Sequence, residues 1–202
     1  MSDPKTLLQM TGAKLAPPPL AESTLILIDI QNEYVTGALP LLDVDAAVAE
    51  AAKVLEAVRQ AGGSVIHVAH AGNAGGPFDR EDERGQFVAD VMPVDGETIV
   101  EKPLPNAFAK TSLKAAMETA GRANVIYVGF MTHMCVSSTV RAGLDLGYLG
   151  TVVASACTTR DLPDPMGGVV FADQLHRAAL TALSDRFAYV VPNANWVTEA
   201  AG

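Results

Sequence analysis

The sequence predicts an α/β fold: a three-layer, doubly wound sheet of six parallel strands with helices on both faces. Short apolar runs of strand length alternate along the chain with segments of helical periodicity, and the intervals between strands are long enough for crossover connections. Hydrophobic residues make up 49% of the 202 residues and charged residues 18%. This composition is typical of a globular chain with a large core.

Each element of this fold has a local signal. The first strand, STLILIDI, is almost continuously apolar, as expected of a strand buried on both faces. The first helix is expected to have Asp43 as its N-cap and to stop at Gly62. The predicted strands span 23–30, 64–70, 96–102, 123–130, 150–156 and 187–191. The predicted helices span 43–61, 110–121, 132–147 and 171–186.

The domain organisation is simple. Residues 1–22 are interpreted as an N-terminal arm that runs over the surface in an extended form and ends in three prolines. Residues 23–202 are interpreted as a single domain that finishes in a short tail. The segment 71–96 is too long and irregular for a plain connection, and such loops in compact domains often act as lids or binding loops.

Composition excludes several classes of partner and compartment. The net charge is −9 and no cluster of Lys and Arg stands out, so we expect no nucleic-acid partner. No apolar run reaches the roughly 18 residues of a membrane span, so we expect no membrane partner. The N-terminus does not resemble a signal peptide, and two cysteines 22 positions apart do not make a disulfide framework. These features indicate a cytoplasmic protein with free thiols.

Motifs of the common α/β chemistries are absent from the sequence. The first strand is followed by DIQNEYVTG, which has no dinucleotide-binding glycines, and there is neither a P-loop nor a G-x-S-x-G elbow. An aspartyl phosphatase would need a second acid two residues after Asp29, where Gln31 stands. His67 and His70 lie three apart on one strand and point to opposite faces, so they cannot share a metal ion. We therefore predict neither a metal nor another cofactor.

Three polar residues follow strands at the carboxyl edge of the predicted sheet, where ligands bind in open parallel sheets. Asp29 closes the first strand, Lys102 closes the third, and Cys135 lies in the first turn after the fourth. Taken singly, each has a plain structural interpretation as a cap, a solvated lysine or a small core residue. Taken together on one edge, they form a base, a cation and a nucleophile.

The surroundings of Cys135 favour the catalytic interpretation. Gly129 ends the strand, and Thr132 is expected to cap the following helix, which places Cys135 at the third helical position. The helix N-terminus and Lys102 would both favour a thiolate and lower its pKa. Asp29 could take the thiol proton and pass it to a leaving nitrogen. Cys157 has no such setting and is interpreted as a small residue lining the sheet edge or a pocket.

Three motifs resemble those of the isochorismatase-like cysteine hydrolases: LILIDIQNEY, EKPLPNAFAKTSL and VGFMTHMCVSSTVRAGLDLGY. The resemblance continues through ASACTTRD and FADQLH and covers about residues 22–191. It implies a catalytic triad of Asp29, Lys102 and Cys135 on a doubly wound six-stranded sheet. It also implies a non-proline cis peptide between Phe130 and Met131, with the backbone N–H groups of Met131 and Cys135 forming an oxyanion hole.

Departures from the family patterns narrow the expected reaction. Nicotinamidases of this family carry a metal-binding Asp-x-His after the second strand, where this chain has HVAHAGN. True isochorismatases cleave a vinyl ether and lack the nucleophilic cysteine, which is present here. The resemblance thus implies cleavage of a C–N bond in a small amide, carbamoyl or ureido compound through a thioester, as in relatives such as N-carbamoylsarcosine amidase. A vinyl ether hydrolase and a non-catalytic binding protein remain the alternatives.

The resemblance also suggests how the substrate is held. Family members commonly form dimers or tetramers, so we expect a homo-oligomer. Candidate substrate contacts beside the motifs are Tyr34, Phe78, Phe108 and His133, although core packing would explain each of them equally well. Arg80 or Arg84 in the long loop could recognise a substrate carboxylate.

Overall fold

The computed structural model describes residues 3–13, 16 and 18–198, and it confirms the predicted fold class. The strands are β1 Ser23–Ile28, β2 Ser64–His70, β3 Thr98–Lys102, β4 Asn124–Phe130, β5 Gly150–Thr158, β6 Leu162–Pro163, β7 Val169–Val170 and β8 Ala188–Val191. The helices are α1 Leu7–Met10, α2 Val44–Ala61, α3 Leu113–Ala120, α4 Ser137–Asp145, α5 Ala172–Arg186 and α6 Ala194–Thr198. Six strands form one all-parallel sheet in the order β3-β2-β1-β4-β5-β8, and β6 and β7 form a small antiparallel hairpin.

The sheet buries apolar side chains on both faces. Along β1, Leu25 and Leu27 face one core with α2 and α6, whereas Ile26 and Ile28 face a second core with α3, α4 and α5. This alternation follows from the two-residue period of a strand. Each fully buried aliphatic side chain contributes about 1.5–3 kcal/mol, so β1 is fixed firmly at the centre of the sheet.

Register brings the carboxyl ends of neighbouring strands together. Ile28 at the end of β1 lies opposite Val68 in β2 and Gly129 in β4. His70 at the end of β2 lies opposite Lys102 at the end of β3. The residues that follow these strands therefore meet at one edge of the sheet.

The chain termini contain more structure than predicted. The described part of the N-terminal arm includes α1, whose Thr6 and Gln9 form a reciprocal capping box, rather than extended backbone throughout. The Leu7 N–H donates to Asp185 Oδ1 at 2.8 Å, and Leu8 is buried. Pro17 lies outside the described residues. The predicted C-terminal tail contains α6, where Asn193 Oδ1 accepts from the Trp196 N–H at 3.2 Å.

The long segment 71–96 is tied to the turn that follows β1. The Gln31 side chain donates to the Gly85 carbonyl at 2.7 Å, and the Asn32 N–H donates to the Gln86 carbonyl at 3.0 Å. Gln31 also forms an isolated antiparallel bridge with Phe87. The segment thus packs on the site side of the sheet through backbone and side-chain hydrogen bonds.

Two helix starts differ from the prediction. Asp43 precedes α2 as expected, but its φ is +47° and its side chain makes no capping hydrogen bond. Gly62 ends α2 in the left-handed conformation, as predicted. The predicted helix over 132–147 begins as a single π-helical turn, Thr132–Val136, and continues as α4. Within the described residues, no helix is long and apolar enough to cross a membrane.

Candidate active site

The structure brings the three predicted catalytic side chains together. Asp29 directly follows β1, Lys102 ends β3, and Cys135 lies in the π-helical turn after β4. Lys102 Nζ lies 2.7 Å from Asp29 Oδ2 and 3.3 Å from Cys135 Sγ. Asp29 and Lys102 are fully buried, and Cys135 is 4% exposed. Lys102 is therefore not a solvated lysine, and Cys135 is not a core cysteine that lacks polar neighbours.

Backbone geometry at the strand ends sets these positions. Asp29 has a φ of +53°, its N–H donates to the Val68 carbonyl, and its own carbonyl accepts from the Gln31 N–H, both at 2.9 Å. The left-handed conformation costs a non-glycine residue roughly 1–2 kcal/mol. These hydrogen bonds hold Asp29 in that conformation, which turns the chain as it leaves β1.

Gly129 is required by close contact between β4 and β1. Its φ is +120°, and a Cβ there would lie 2.1 Å from the Ile28 carbonyl oxygen. A side chain at this position would push the two central strands apart. Gly129 thus keeps the turn that carries Cys135 beside the end of β1.

Burial and the Asp29 charge both oppose ionisation of the Cys135 thiol. Burial raises the pKa of Asp29, an effect that the Lys102 ammonium opposes. Neither carboxylate oxygen of Asp29 accepts a hydrogen bond of good geometry from the described residues. The 2.7 Å contact between Asp29 Oδ2 and Lys102 Nζ is therefore an ion pair without good hydrogen-bond alignment. Burial, followed by the Asp29 charge, raises the pKa of Cys135 to about 12. The sequence predicted a lowered thiol pKa, whereas burial and the Asp29 charge shift the pKa of Cys135 upward.

The turn that carries Cys135 is not capped by Thr132. The Thr132 hydroxyl donates to the Thr158 carbonyl at 3.0 Å and lies 2.8 Å from His176 Nδ1, so it links the turn to β5 and α5. The N–H groups of Met134 and Val136 both donate to the Met131 carbonyl, at 3.0 and 3.2 Å. The predicted cis peptide between Phe130 and Met131 is present. The two predicted oxyanion donors, the N–H groups of Met131 and Cys135, thus lie in and next to one turn.

Two of the predicted substrate contacts lie beside the triad. The Tyr34 ring packs edge-on against Phe78 at 4.9 Å and against Phe130 at 5.9 Å. Burial raises the Tyr34 pKa, and the nearby charges of Asp29 and Cys135 raise it further. Phe78 in turn lies edge-on to the His70 ring at 5.2 Å. Tyr34 and Phe78 therefore form an aromatic wall next to the reacting groups.

The other two predicted contacts lie in different surroundings. The Phe108 ring stacks on Tyr148 at 6.3 Å with an interplanar angle of 6°, beyond the C-terminus of α4. His133 Nδ1 lies 2.6 Å from Thr159 Oγ1, just after β5, and burial lowers the His133 pKa. The described ring contacts of Phe108 do not include a triad residue, whereas His133 belongs to the same turn as Cys135.

The two arginines suggested for carboxylate recognition have partners within the protein. Arg80 Nε donates to Glu101 at 2.9 Å, and its guanidinium lies over the Phe87 ring at 5.0 Å. Arg84 Nε lies 3.4 Å from Asp82 Oδ1. Arg80 thus ties the long loop to β3, and Arg84 pairs with an acid within the loop.

Arg160 is a candidate that the sequence prediction missed. It follows Thr159 at the carboxyl end of β5, and its Nε is buried without a hydrogen-bond partner in the described part of the chain. Its charge lowers the pKa of both Tyr34 and His133, so it lies in the neighbourhood of these side chains. The signal was present in the motif ASACTTRD, since Arg160 follows a strand just as Asp29 does.

His70 is the second missed residue. Its Nδ1 lies 3.4 Å from Lys102 Nζ, and its backbone N–H donates to Gln31 Oε1 at 2.9 Å. His67 points to the opposite face, as predicted, where its Nε2 lies 2.8 Å from Glu97 Oε2. His70 lies opposite Lys102 in the register of β2 and β3. The sequence does not show that these two strands pair, so it could not reveal this contact.

Residues that could hold a metal ion are not clustered in the part of the chain that the structure describes. The second cysteine, Cys157, lies in β5 opposite Gly129 and is 3% exposed. Burial raises its pKa to about 12. Cys157 accordingly packs in the core as a neutral thiol.

Comparison with known proteins identifies the family. Residues 23–195 match the isochorismatase domain, so the chain belongs to the isochorismatase family. An isochorismatase from Pseudomonas putida KT2440 superposes with a TM-score of 0.89 at 42% identity, covering 94% of this chain and 97% of that one. The secreted isochorismatase effector Isc1 of Verticillium dahliae is 34% identical over 84% of this chain and 87% of its own length. The ureidoacrylate amidohydrolase RutB of Stutzerimonas stutzeri is 29% identical over 69% of this chain and 73% of its own length.

Proposed function

We propose that the protein is a cysteine hydrolase that cleaves a C–N bond of a small amide, carbamoyl or ureido compound. The observation that carries this proposal is the buried contact of one ammonium, Lys102, with both the Asp29 carboxylate and the Cys135 thiol. A nucleophile, a base and a cation within hydrogen-bond reach are the parts that nucleophilic catalysis requires. The similarity to a ureidoacrylate amidohydrolase supports the choice of bond.

The first half of the reaction forms an acyl-enzyme. Asp29 accepts the Cys135 proton, and the sulfur attacks the substrate carbonyl carbon to form a C–S bond. The carbonyl oxygen becomes an oxyanion, which the N–H groups of Met131 and Cys135 stabilise. Asp29 then gives its proton to the substrate nitrogen as the C–N bond breaks, so ammonia or an amine leaves and a thioester remains.

The second half regenerates the enzyme. Water attacks the thioester carbonyl and gives a proton to Asp29, and the C–S bond breaks as Cys135 recovers a proton. Lys102 stays an ammonium throughout and stabilises the negative charge as it moves between Asp29 and the sulfur. A base of raised pKa is suited to a thiol of raised pKa, because proton transfer is easiest between groups of similar proton affinity.

The surroundings of the triad support a substrate that carries an acid group. Arg160 has a buried Nε without a partner in the described residues, and it lies near Tyr34 and His133. A guanidinium is the preferred partner of a carboxylate, because its N–H groups form a planar fork. We infer that Arg160 binds a substrate carboxylate while Tyr34 and Phe78 pack against the apolar part.

A screen of small amides and ureido acids for release of ammonia or amine tests the proposal. The parent protein should release ammonia or an amine from at least one compound, and the Cys135→Ala variant should release neither. Equal activity of Cys135→Ala would contradict the mechanism. If the protein cleaves a vinyl ether and none of the amides, the isochorismatase-type reaction is favoured instead.

We also propose that the chain acts as a homo-oligomer. The described surface carries several large apolar side chains on or beside the β6–β7 hairpin, among them Met166, which is 93% exposed, and Phe171, which is 56% exposed. Clusters of exposed apolar side chains often mark surfaces that bind another protein. The hairpin leaves the sheet just after Arg160, so a partner bound there would lie close to the site.

A further inference from the structure

We propose that His70 is a positioning residue that directs the Lys102 ammonium toward Asp29 and Cys135. This inference rests on the proposed function, since it concerns the geometry of the same triad. His70 would not touch the substrate. It would act through Lys102, whose orientation decides whether the base and the nucleophile share one cation.

The Lys102 ammonium lies close to three groups that carry lone pairs, as many groups as it has N–H donors. A lysine ammonium carries three N–H groups and has no lone pair. Its nitrogen lies 2.7 Å from Asp29 Oδ2, 3.3 Å from Cys135 Sγ and 3.4 Å from His70 Nδ1. Because Lys102 is fully buried, water is not at hand to replace a missing acceptor, and an unsatisfied buried N–H is costly.

The contact with Lys102 fixes the tautomer of His70. Since the ammonium can only donate, Nδ1 must hold a lone pair, and the ring proton must then be on Nε2. Burial and the Lys102 charge both lower the His70 pKa, which favours this neutral form, whereas Asp29 opposes it. A protonated ring would place a second positive charge against Lys102 and remove its third acceptor.

The position of His70 is itself held on three sides. Its backbone N–H donates to Gln31 Oε1 at 2.9 Å, and its carbonyl accepts from Gln31 Nε2 at 3.1 Å. In register, His70 lies directly opposite Lys102 on the neighbouring strand. Its ring packs against Phe78 in an edge-to-face arrangement. A ring fixed in this way presents Nδ1 to Lys102 at a constant place.

A pair of amide variants separates this role from simple packing. His70→Asn places an amide oxygen near the position of Nδ1, whereas His70→Gln places its amide nearer that of Nε2. We expect His70→Ala and His70→Gln to lower kcat by about tenfold or more with little change in KM, because the triad is misoriented while binding is intact. His70→Asn should recover most of the loss. Equal activity of the Asn and Gln variants, or full activity of the Ala variant, would overturn the inference.

Two measurements without substrate keep this test independent of the proposed reaction. The ¹⁵N shifts of the His70 ring in the parent protein should show Nδ1 unprotonated and Nε2 protonated, and the opposite tautomer would refute the inference. The rate at which iodoacetamide alkylates Cys135 should fall in His70→Gln more than in His70→Asn, and equal rates would count against it. If the parent hydrolyses none of the amides, the proposed function fails while these two results still decide the role of His70. Circular dichroism and thermal unfolding of each variant show whether it is folded.

Discussion

At the scale of single residues, proton affinity rather than a preformed thiolate defines the site. Burial raises the pKa of both Cys135 and Asp29, so neither group gives up its proton as easily as its free counterpart. A cysteine with a low pKa would be reactive toward any small electrophile. In the proposed mechanism the thiol becomes nucleophilic when Asp29 accepts its proton, so its reactivity depends on how well Asp29 and Lys102 are positioned.

The raised Asp29 pKa makes a prediction for pH dependence. The base must be ionised to accept a proton, so activity is lost as pH falls through the pKa of Asp29 in the folded protein. Because that pKa lies above the ordinary 3.8 of an aspartate, the acid limb of kcat/KM should lie above 3.8 as well. A pH–rate profile of kcat/KM checks this, and an acid limb at or below 3.8 would contradict it. Asp29→Asn should lower kcat by about 10²–10⁴ at every pH.

The role of Arg160 can be tested with matched substrates. Arg160→Gln should raise KM by about 10–100-fold for a substrate with a carboxylate, since a charge-assisted hydrogen bond contributes about 1.5–3 kcal/mol. The same compound with its carboxylate converted to an amide should be affected little. Arg84→Gln serves as the control, because that guanidinium pairs with Asp82. Equal effects of the two variants on the carboxylate substrate would argue against a binding role for Arg160.

At the scale of elements, the strands and long helices were predictable and several short elements were not. The run STLILIDI is typical of a strand buried on both faces, and Gly62 is a standard helix stop. The π-helical turn at Thr132 was missed because the Thr132 hydroxyl has a tertiary partner, the Thr158 carbonyl, that lies 26 positions away. A threonine before a helix looks the same in sequence whether it caps that helix or bonds elsewhere.

The same limit applies to the site. Strand ends revealed Asp29, Lys102 and Cys135, because each follows an apolar run and parallel strands share an edge. His70 and Arg160 also follow strands, but what they contact depends on strand order and register. The long loop shows the reverse case, since Arg80 and Arg84 looked available in sequence and are engaged with acidic partners in the fold.

Glu50 on α2 provides a stability test of helix packing. Its carboxylate accepts from the Ala194 N–H at 3.0 Å and from Ser155 Oγ at 2.6 Å, joining α2 to α6 and β5. The Ala194 N–H, followed by Lys53 and Ser155, lowers the Glu50 pKa from 4.5 to about 2. A lowered carboxyl pKa stabilises the fold above pH 4.5, and this contribution disappears as pH falls from there through about 2.

Glu50→Gln should therefore lower the free energy of unfolding at pH 7. The pKa shift corresponds to about 3 kcal/mol at most, and solvent screening reduces the expected loss to about 1–2 kcal/mol. Urea unfolding at pH 7 and at pH 3 measures it, and the gap between parent and variant should narrow at the lower pH. Glu118→Gln, at an exposed pair with Lys114, is the control and should change stability by less than about 0.5 kcal/mol. A gap that widens at pH 3 would contradict this explanation.

At the scale of the whole molecule, one parallel sheet explains why distant parts of the sequence form one site. Asp29, Lys102 and Cys135 are spread over more than a hundred positions, yet the order β3-β2-β1-β4 places β1 beside β4 and leaves only β2 between β1 and β3. The chain crosses the sheet between them, so each of these three side chains is positioned by a separate strand. Proteins with such a fold can differ in substrate because the loops around the site vary, while the residues at the strand ends keep their positions.

The proposed oligomer makes a prediction for the intact protein. Light scattering coupled to size exclusion should give a mass of two or four times the 21.1-kDa chain. Phe171→Ser, together with Met166→Ser, removes two exposed apolar side chains of the hairpin region and should shift the mass toward one chain if that region forms the interface. A single-chain mass for the parent protein would contradict the proposal.

In the proposed mechanism, Cys135 attacks a carbonyl carbon and carries the acyl group. Intact-mass spectrometry of protein quenched in acid during turnover of a hydrolysed amide or ureido acid tests it most directly. We expect a mass increase equal to the acyl group, located on Cys135 by peptide mapping and absent in Cys135→Ala. An active parent protein with no adduct on Cys135, together with a Cys135→Ala variant of equal activity, would rule out Cys135 as the nucleophile.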